Sequence, residues 1–418
     1  MNRSEIELMA PVGSYESLMA AIQGGANSIY FGIEQLNMRS RSSNNFTIED
    51  LHNIASICKE NNMKSYLTVN TVLFDQDIEV MHKIVDAVKE GGVTAIIAAD
   101  VSAIMYARSI DVEVHISTQC NITNIEAVKF YATFADVVVL ARELNLNQVA
   151  AIYKQIVDEE IRGPKGELIQ IEMFAHGALC MAVSGKCYLS LHEKNSSANR
   201  GACMQTCRKA YTVTEKESGN QLEIDNEYIM SPKDLCTIGF LNKMLDAGVR
   251  VLKFEGRARP AEYVKTVVTN YSQAVDAYLE GAYTRDKIDQ WTSNLATVFN
   301  RGFWDGYYLG QKIGEWSEDY GNRATKRKML IGKGTNYFAK IKVAEFLLES
   351  QELKVGDEIL ITGPTTGVIE TTVKEIRVDM KSVEKAVKGD SFSISMDTMI
   401  RRSDKLYKIV EVTNDLIQ

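Results

Sequence analysis

Short β-rich apolar runs alternate with segments of helical period from the start of the chain, and each run ends in small or polar residues. The runs are Ile6–Ala10, Ser28–Ile33, Ser65–Asn70, Ala95–Asp100, Glu113–Gln119, Asp136–Arg142, Ile169–Gly177 and Val251–Arg257, eight in all. Amphipathic helices are predicted between them at Ser14–Gly24, Ile48–Asn61, Ile78–Glu90, Ile125–Phe134 and Leu146–Ile156, with Gly24–Gly25 and Gly91–Gly92 as stops. Eight such units with near-continuous apolar strands predict an α/β fold, a TIM-like (β/α)8 barrel. An open doubly wound sheet uses the same units. The count of eight, and the lack of a glycine-rich dinucleotide fingerprint after the first run, favour the barrel.

About seventy residues separate the seventh run from the eighth, which predicts an insertion at about 178–250 hanging from the barrel face where active sites are built. After a last barrel helix at Glu262–Gly281, a helical segment is expected through Asn300–Phe303, closing a domain of residues 1–315. Strands then dominate: Tyr337–Val343, Glu358–Thr362, Val368–Ile376, Ser391–Ser395 and Leu406–Val412, with turns at Val355–Asp357, Gly363–Pro364 and Lys388–Asp390. Residues 329–418 therefore read as a small all-β barrel domain, serving either structure and dimerisation or RNA contact. The basic run Arg323, Lys326, Arg327, Lys328 at the junction leans towards RNA, with a solvated linker as the plainer account.

Composition changes little in this reading. At 45% hydrophobic and 24% charged residues over 418 positions, the chain is that of a globular protein able to bury an enzyme core. Charges at Glu5 and Glu7 come before any apolar run of signal-peptide length develops, so neither a signal nor a transit peptide is expected; no apolar stretch is long enough for a membrane span, and a cytoplasmic protein is anticipated. A formal net charge of -8 argues against a generic nucleic-acid coat but leaves room for a local basic patch.

The cysteines change more. Five of seven, Cys180, Cys187, Cys203, Cys207 and Cys236, fall inside the insertion, the first four spaced C-x6-C-x15-C-x3-C. In a reducing compartment such a group points to a metal centre. Iron–sulfur fits better than zinc, because only Cys203–Cys207 approaches a zinc knuckle; unliganded or redox-paired thiols are the remaining alternative. Cys236, in Ser231–Cys236 entering a predicted helix, reads as a buried structural thiol.

The wording around the thiols, Glu172–Cys180, Cys187–Ser190 and Asn199–Arg208, resembles the collagenase-like peptidase family of unknown catalytic type. So do Glu7–Gly13, Gly32, Asn37–Arg39 and Lys253–Arg257, so that the resemblance spans the barrel. Several members are oxygen-independent RNA or quinone hydroxylases rather than proteases. Cys203 and Cys207 followed by Arg208 look most like the tRNA hydroxylation branch, which makes 5-hydroxyuridine at the wobble position with prephenate as auxiliary substrate. The resemblance implies a [4Fe-4S] cluster on Cys180, Cys187, Cys203 and Cys207, with the tRNA anticodon loop and prephenate as partners. An electron donor or a paralogous subunit is a further expectation.

Residues at strand ends should then line the mouth: Arg39, Asn70, Gln119, Arg142, Glu172, His176, Glu255 and Arg257. Arg142 and Arg257 suit a dicarboxylate such as prephenate through paired hydrogen bonds; an ion pair with Glu143 or Glu255 is the duller role. His176 is a candidate acid or base, Glu172 its orienting carboxylate, and structural roles compete with both. His115 and Gln119 share a face of strand five, and Gln119 is expected at the mouth. Tyr188, Tyr211 and Tyr263 could stack on a base, although core packing is the commoner fate of a tyrosine. Against a peptidase stand the absence of H-E-x-x-H and of G-x-S-x-G. A Cys180–His176 pair would leave the other clustered thiols unexplained. A non-catalytic, cluster-bearing subunit is the third reading.

Overall fold

The computed structural model describes residues 1–40, 45–209, 214, 216, 230–310, 314–317 and 321–412. Seven parallel strands follow one another as β1 (Glu7–Pro11), β2 (Ser28–Phe31), β3 (Lys64–Val69), β4 (Ala95–Ala98), β5 (Glu113–Ile116), β6 (Val137–Val139) and β7 (Gln170–Ala178). A short β8 (Asp234–Cys236) precedes the eighth barrel strand, β9 (Val249–Phe254). Strand β9 pairs in parallel with both β7 and β1, so eight strands close into the predicted barrel. Most strand residues are buried on both faces, which is why these segments read as unbroken apolar runs.

The outer layer consists of α1 (Tyr15–Gly24), α2 (Asp50–Glu60), α3 (Ile78–Gly91), α4 (Val101–Ser109), α5 (Ile125–Ala132) and α6 (Leu146–Asp158). The insertion adds α7 (Leu189–Lys194) and α8 (Leu241–Asp246), and α9 (Ala261–Leu279) and α10 (Arg285–Ala296) complete the set. Local chemistry sets the boundaries. Ser14, Asp100, Asn124 and Asn145 accept backbone N–H groups at helix starts, and Gly25 and Gly92 stop α1 and α3 at φ of 84° and 74°. Among the described residues, no helix is long and apolar enough to cross a membrane.

Two expectations near the insertion are corrected. Cys236 lies in a strand, because β8 pairs antiparallel with the end of β7, His176 opposite Cys236. The helical segment expected through Asn300–Phe303 stops at Ala296; Phe303–Trp304 is instead a short strand, β10, beside β8. Gly302, with φ of 76°, makes the reversal that a helix could not.

The C-terminal region is all-β, as expected, but more finely divided. Its strands are β11 (Lys326–Phe338), β12 (Val343–Leu348), β13 (Glu352–Lys354), β14 (Glu358–Gly363), β15 (Gly367–Thr372), β16 (Ile376–Val378), β17 (Lys381–Val383), β18 (Lys385–Val387), β19 (Ser391–Ser395) and β20 (Lys405–Glu411). Tyr337–Val343, expected as one strand, is a hairpin turn with Lys342 at φ of 52°, and Val368–Ile376 is broken between β15 and β16. The sheet docks on α1 and α9: Gln23 exchanges two hydrogen bonds with the Thr366–Val368 backbone, and Leu360 and Val368 join the barrel's apolar core. Of the basic junction, Lys326 pairs with Glu358 and Lys328 with Glu262 of α9, which favours a docking role for these two lysines over an open RNA-binding patch.

Candidate functional site at the barrel mouth

A cavity of about 220 Å³ opens at the C-terminal ends of the barrel strands, beneath the insertion. Its walls carry Cys180, Cys187, Cys203 and Cys207 together with Arg39, Asn70, Gln119, Arg142, Glu255 and Arg257. The insertion is tied down over the mouth by short polar contacts. Asn199 O accepts from Val72 N at 3.0 Å, Arg200 pairs with Asp77 at 2.6 Å and covers the Phe74 ring, and Ser184 accepts from Arg142 Nη2 at 2.8 Å. Arg208 binds the chain back on itself, donating to Leu179 O and Pro232 O.

All seven cysteines are free thiols. The four around the cavity feel one another's charge: burial pushes the Cys207 thiol up, Arg208 pulls it down, and Cys180, Cys203 and Cys187 push it up further. Mutually repelling thiolates form a site that a cationic group relieves. Yet among the described residues no three His, Cys, Asp or Glu side chains come together as ligands of one ion. Thiolates on a single zinc at about 2.3 Å would lie within ~4 Å of one another.

In the same cavity, Glu255 accepts from Arg39 Nη2 and from the Tyr30 hydroxyl, both at 2.9 Å. Burial alone would raise this carboxyl, but Arg39 and Arg257 hold it below the usual carboxylate range. Arg257 donates through Nη1 to Asn37 Oδ1 and Thr68 Oγ1, both at 3.1 Å. A side chain on Gly32 would collide with that guanidinium, so the loop after β2 needs glycine here. Neither Arg142 nor Arg257 has a carboxylate within ion-pair distance among the described residues, and the buried Nε of each lacks a hydrogen-bond partner. The Glu143 and Glu255 ion pairs considered from sequence are thus not formed. Gln119 reaches the mouth from the turn after β5 and meets Asn70 Nδ2 at 3.3 Å, while His115 lies deeper in the barrel.

Two sequence candidates do not line the cavity. Glu172 points into the barrel below it, fully buried, its Oε1 accepting from Lys253 Nζ at 2.6 Å. His176 faces the outer wall. Phe174 sits opposite Lys253 and His176 opposite Phe254, so β7 carries one extra residue there, and the bulge turns His176 outward. It packs against Tyr263, Tyr271 and Phe303, and burial lowers its pKa to about 3. It is therefore neutral and does not line the cavity that Cys180, Cys187, Cys203 and Cys207 share. Tyr263 is buried, donating to Glu255 O, whereas Tyr188 is 70% exposed on the insertion; Tyr211 lies outside the described residues. Lys253 was missed, although it stands two positions before Glu255 and four before Arg257, a period-two signal along β9 and its extension.

Residues 13–318 match Peptidase family U32. Over 408 residues the chain is 63% identical to a Porphyromonas gingivalis protein named collagenase, covering 98% of this chain and 99% of that one. It is 32% identical over 378 residues to tRNA hydroxylation protein P1 of Bacillus subtilis, covering 88% and 86%. It is also 31% identical over 377 residues to the 23S rRNA 5-hydroxycytidine C2501 synthase of Escherichia coli, covering 84% of this chain and 55% of that longer one.

Proposed function

The chain belongs to Peptidase family U32, and from that premise we propose that it is an RNA hydroxylase that converts the wobble uridine of tRNA to 5-hydroxyuridine, without molecular oxygen and with prephenate as auxiliary substrate. The observation that carries this reading is the make-up of one cavity, where four thiols share the lining with two guanidiniums that have no carboxylate within ion-pair distance among the described residues. Relatives named for tRNA and rRNA hydroxylation support it.

Cys180, Cys187, Cys203 and Cys207 would hold a [4Fe-4S] cluster, which supplies electron-transfer chemistry when bound. Arg142 and Arg257 hold the carboxylates of prephenate, each offering a planar fork of donors. Glu255, ionised and tied to Arg39 and Tyr30, fixes the wall on which Arg257 is mounted. The amides of Asn70 and Gln119 present donors and acceptors suited to a uracil edge. The wobble base must leave its stack to enter, and exposed Tyr188 at the rim offers a ring for a neighbouring base.

The 63% identity to a protein named collagenase favours a second reading, peptide hydrolysis. Chemistry at the cavity weighs against it. No histidine lines the cavity, and His176, the sequence candidate for a cysteine's base, is buried on the far side of β7. The readings separate in a deletion strain. Loss of 5-hydroxyuridine derivatives from its tRNA, with anaerobically purified protein carrying about four irons per chain, is the expected result; unchanged nucleosides with accumulating peptides would establish the peptidase.

A further inference from the structure

Below the cavity, the barrel interior holds a column of alternating charge. Lys253 of β9, on the cavity wall, pairs with Glu172 of β7 at 2.6 Å; Glu172 Oε2 lies 3.7 Å from His115 Nδ1 of β5. His115 Nε2 lies 3.5 Å from Glu113, which pairs with Lys165 at 2.5 Å near the opposite end of the barrel. Tyr66 of β3 also packs against the imidazole, its ring at 4.4 Å and its hydroxyl donating to Glu7 of β1 at 2.8 Å. Lys253 also lies over the Tyr30 ring at 4.6 Å and near the Phe174 ring at 5.7 Å.

One link in this column is incomplete. Glu172 Oε2 and His115 Nδ1 are both buried, and neither has a hydrogen-bond partner. Leaving two such atoms unpaired is costly, and a shift of well under 1 Å would join them. What holds the carboxylate short of the imidazole is its bond to Lys253 on the other oxygen.

We propose that Lys253 is a reserve cation of the cavity: an anionic ligand at the mouth draws its ammonium off Glu172, and protonated His115 closes on Glu172 as the replacement counter-charge. The inference rests on the reading of the mouth as a carboxylate-binding pocket. Lys253 becomes a ligand-contacting residue, and His115 a positioning residue acting through Glu172. Burial opposes a charge on His115, but Glu113 and Glu172 raise its pKa above the ordinary value, which favours the protonated form that the exchange requires. Ligand affinity then falls as pH rises through the His115 transition, because Glu172 can no longer release Lys253.

Two measurements on the full chain test this. In calorimetric titrations with prephenate across pH 6–9, Lys253→Met should weaken binding about tenfold or more. His115→Gln should also bind weakly, with the pH dependence of the wild type lost; a merely structural role would leave that slope intact. Separately, 15N-histidine NMR of the ligand-free protein follows the His115 midpoint. Lys253→Met imitates the ammonium drawn away, and should raise that midpoint. Undiminished prephenate binding by Lys253→Met, or a wild-type pH slope in His115→Gln, overturns the proposal, as does a His115 midpoint that Lys253→Met leaves unmoved. Failure of the wild type to bind prephenate, with the His115 midpoint moving as expected, removes the co-substrate reading and leaves the exchange of counter-charges standing.

Discussion

The inner and outer faces of strand β7 carry the same kind of buried ionisable chemistry with opposite outcomes. On the inside, Glu172 joins His115 and Lys253 in a charged column whose top reaches the cavity. Outside, His176 sits equally buried among Tyr263, Tyr271 and Phe303, opposite Cys236, with no carboxylate against it. Desolvation lowers the pKa of both, but Glu113 and Glu172 outweigh it at His115 and favour the charged form, whereas His176 is held neutral by desolvation alone. Burial is common to both; the neighbours decide the charge. A single extra residue in β7 decides which neighbours His176 meets.

The largest effect should come from breaking the inner side. Glu172→Leu strands Lys253 as an uncompensated buried charge, leaves His115 with Glu113 alone, and should cost about 3–5 kcal/mol of stability, read by denaturant unfolding. Next comes the pH response, in which the two faces have opposite signs. The folded pKa of His115 is raised, so its contribution is complete below about pH 6.5 and is lost as pH climbs through the folded value. His176 has its folded pKa lowered to about 3, so stability is lost as pH falls from the ordinary histidine value towards that figure. His176→Phe should therefore gain on the wild type by about 2 kcal/mol between pH 6.5 and pH 5, while wild type should lose its advantage over His115→Gln above pH 6.5. Parallel pH curves for the two variants would erase the contrast.

At neutral pH, His176→Phe should change stability by less than about 1.5 kcal/mol and leave iron content untouched, since an apolar ring suits that wall. Smallest is Lys165→Ala. This lysine is 57% exposed at the outer end of the column, so its ion pair with Glu113 should be worth at most about 1 kcal/mol, declining in salt.

Much of this was legible beforehand. The apolar runs gave all eight barrel strands to within a few residues, because strands buried on both faces leave a continuous signal. Cysteine spacing brought four thiols to one cavity, and strand-end position brought Arg39, Asn70, Gln119, Arg142, Glu255 and Arg257 to the same place. His176 was misjudged because a bulge is a pairing property, set by β9 rather than by any residue of β7 itself. Cys236 was read as helical for a related reason: three residues are too few to show a strand period, and only the exposed edge of β7 makes them one. Lys253 went unread because a lysine inside a strand looks like a surface residue until the carboxylate facing it, eighty-one positions earlier, is seen.

The central claim is that the thiols and arginines of the cavity, and not the outer wall of β7, carry RNA hydroxylation. Mass spectrometry of tRNA nucleosides from a deletion strain complemented with variants tests it most directly. Wild type and His176→Phe should restore wobble 5-hydroxyuridine and its derivatives, while Cys203→Ser and Arg257→Ala should not. Full restoration by Cys203→Ser, or wobble hydroxylation that persists in the uncomplemented deletion strain, would contradict it.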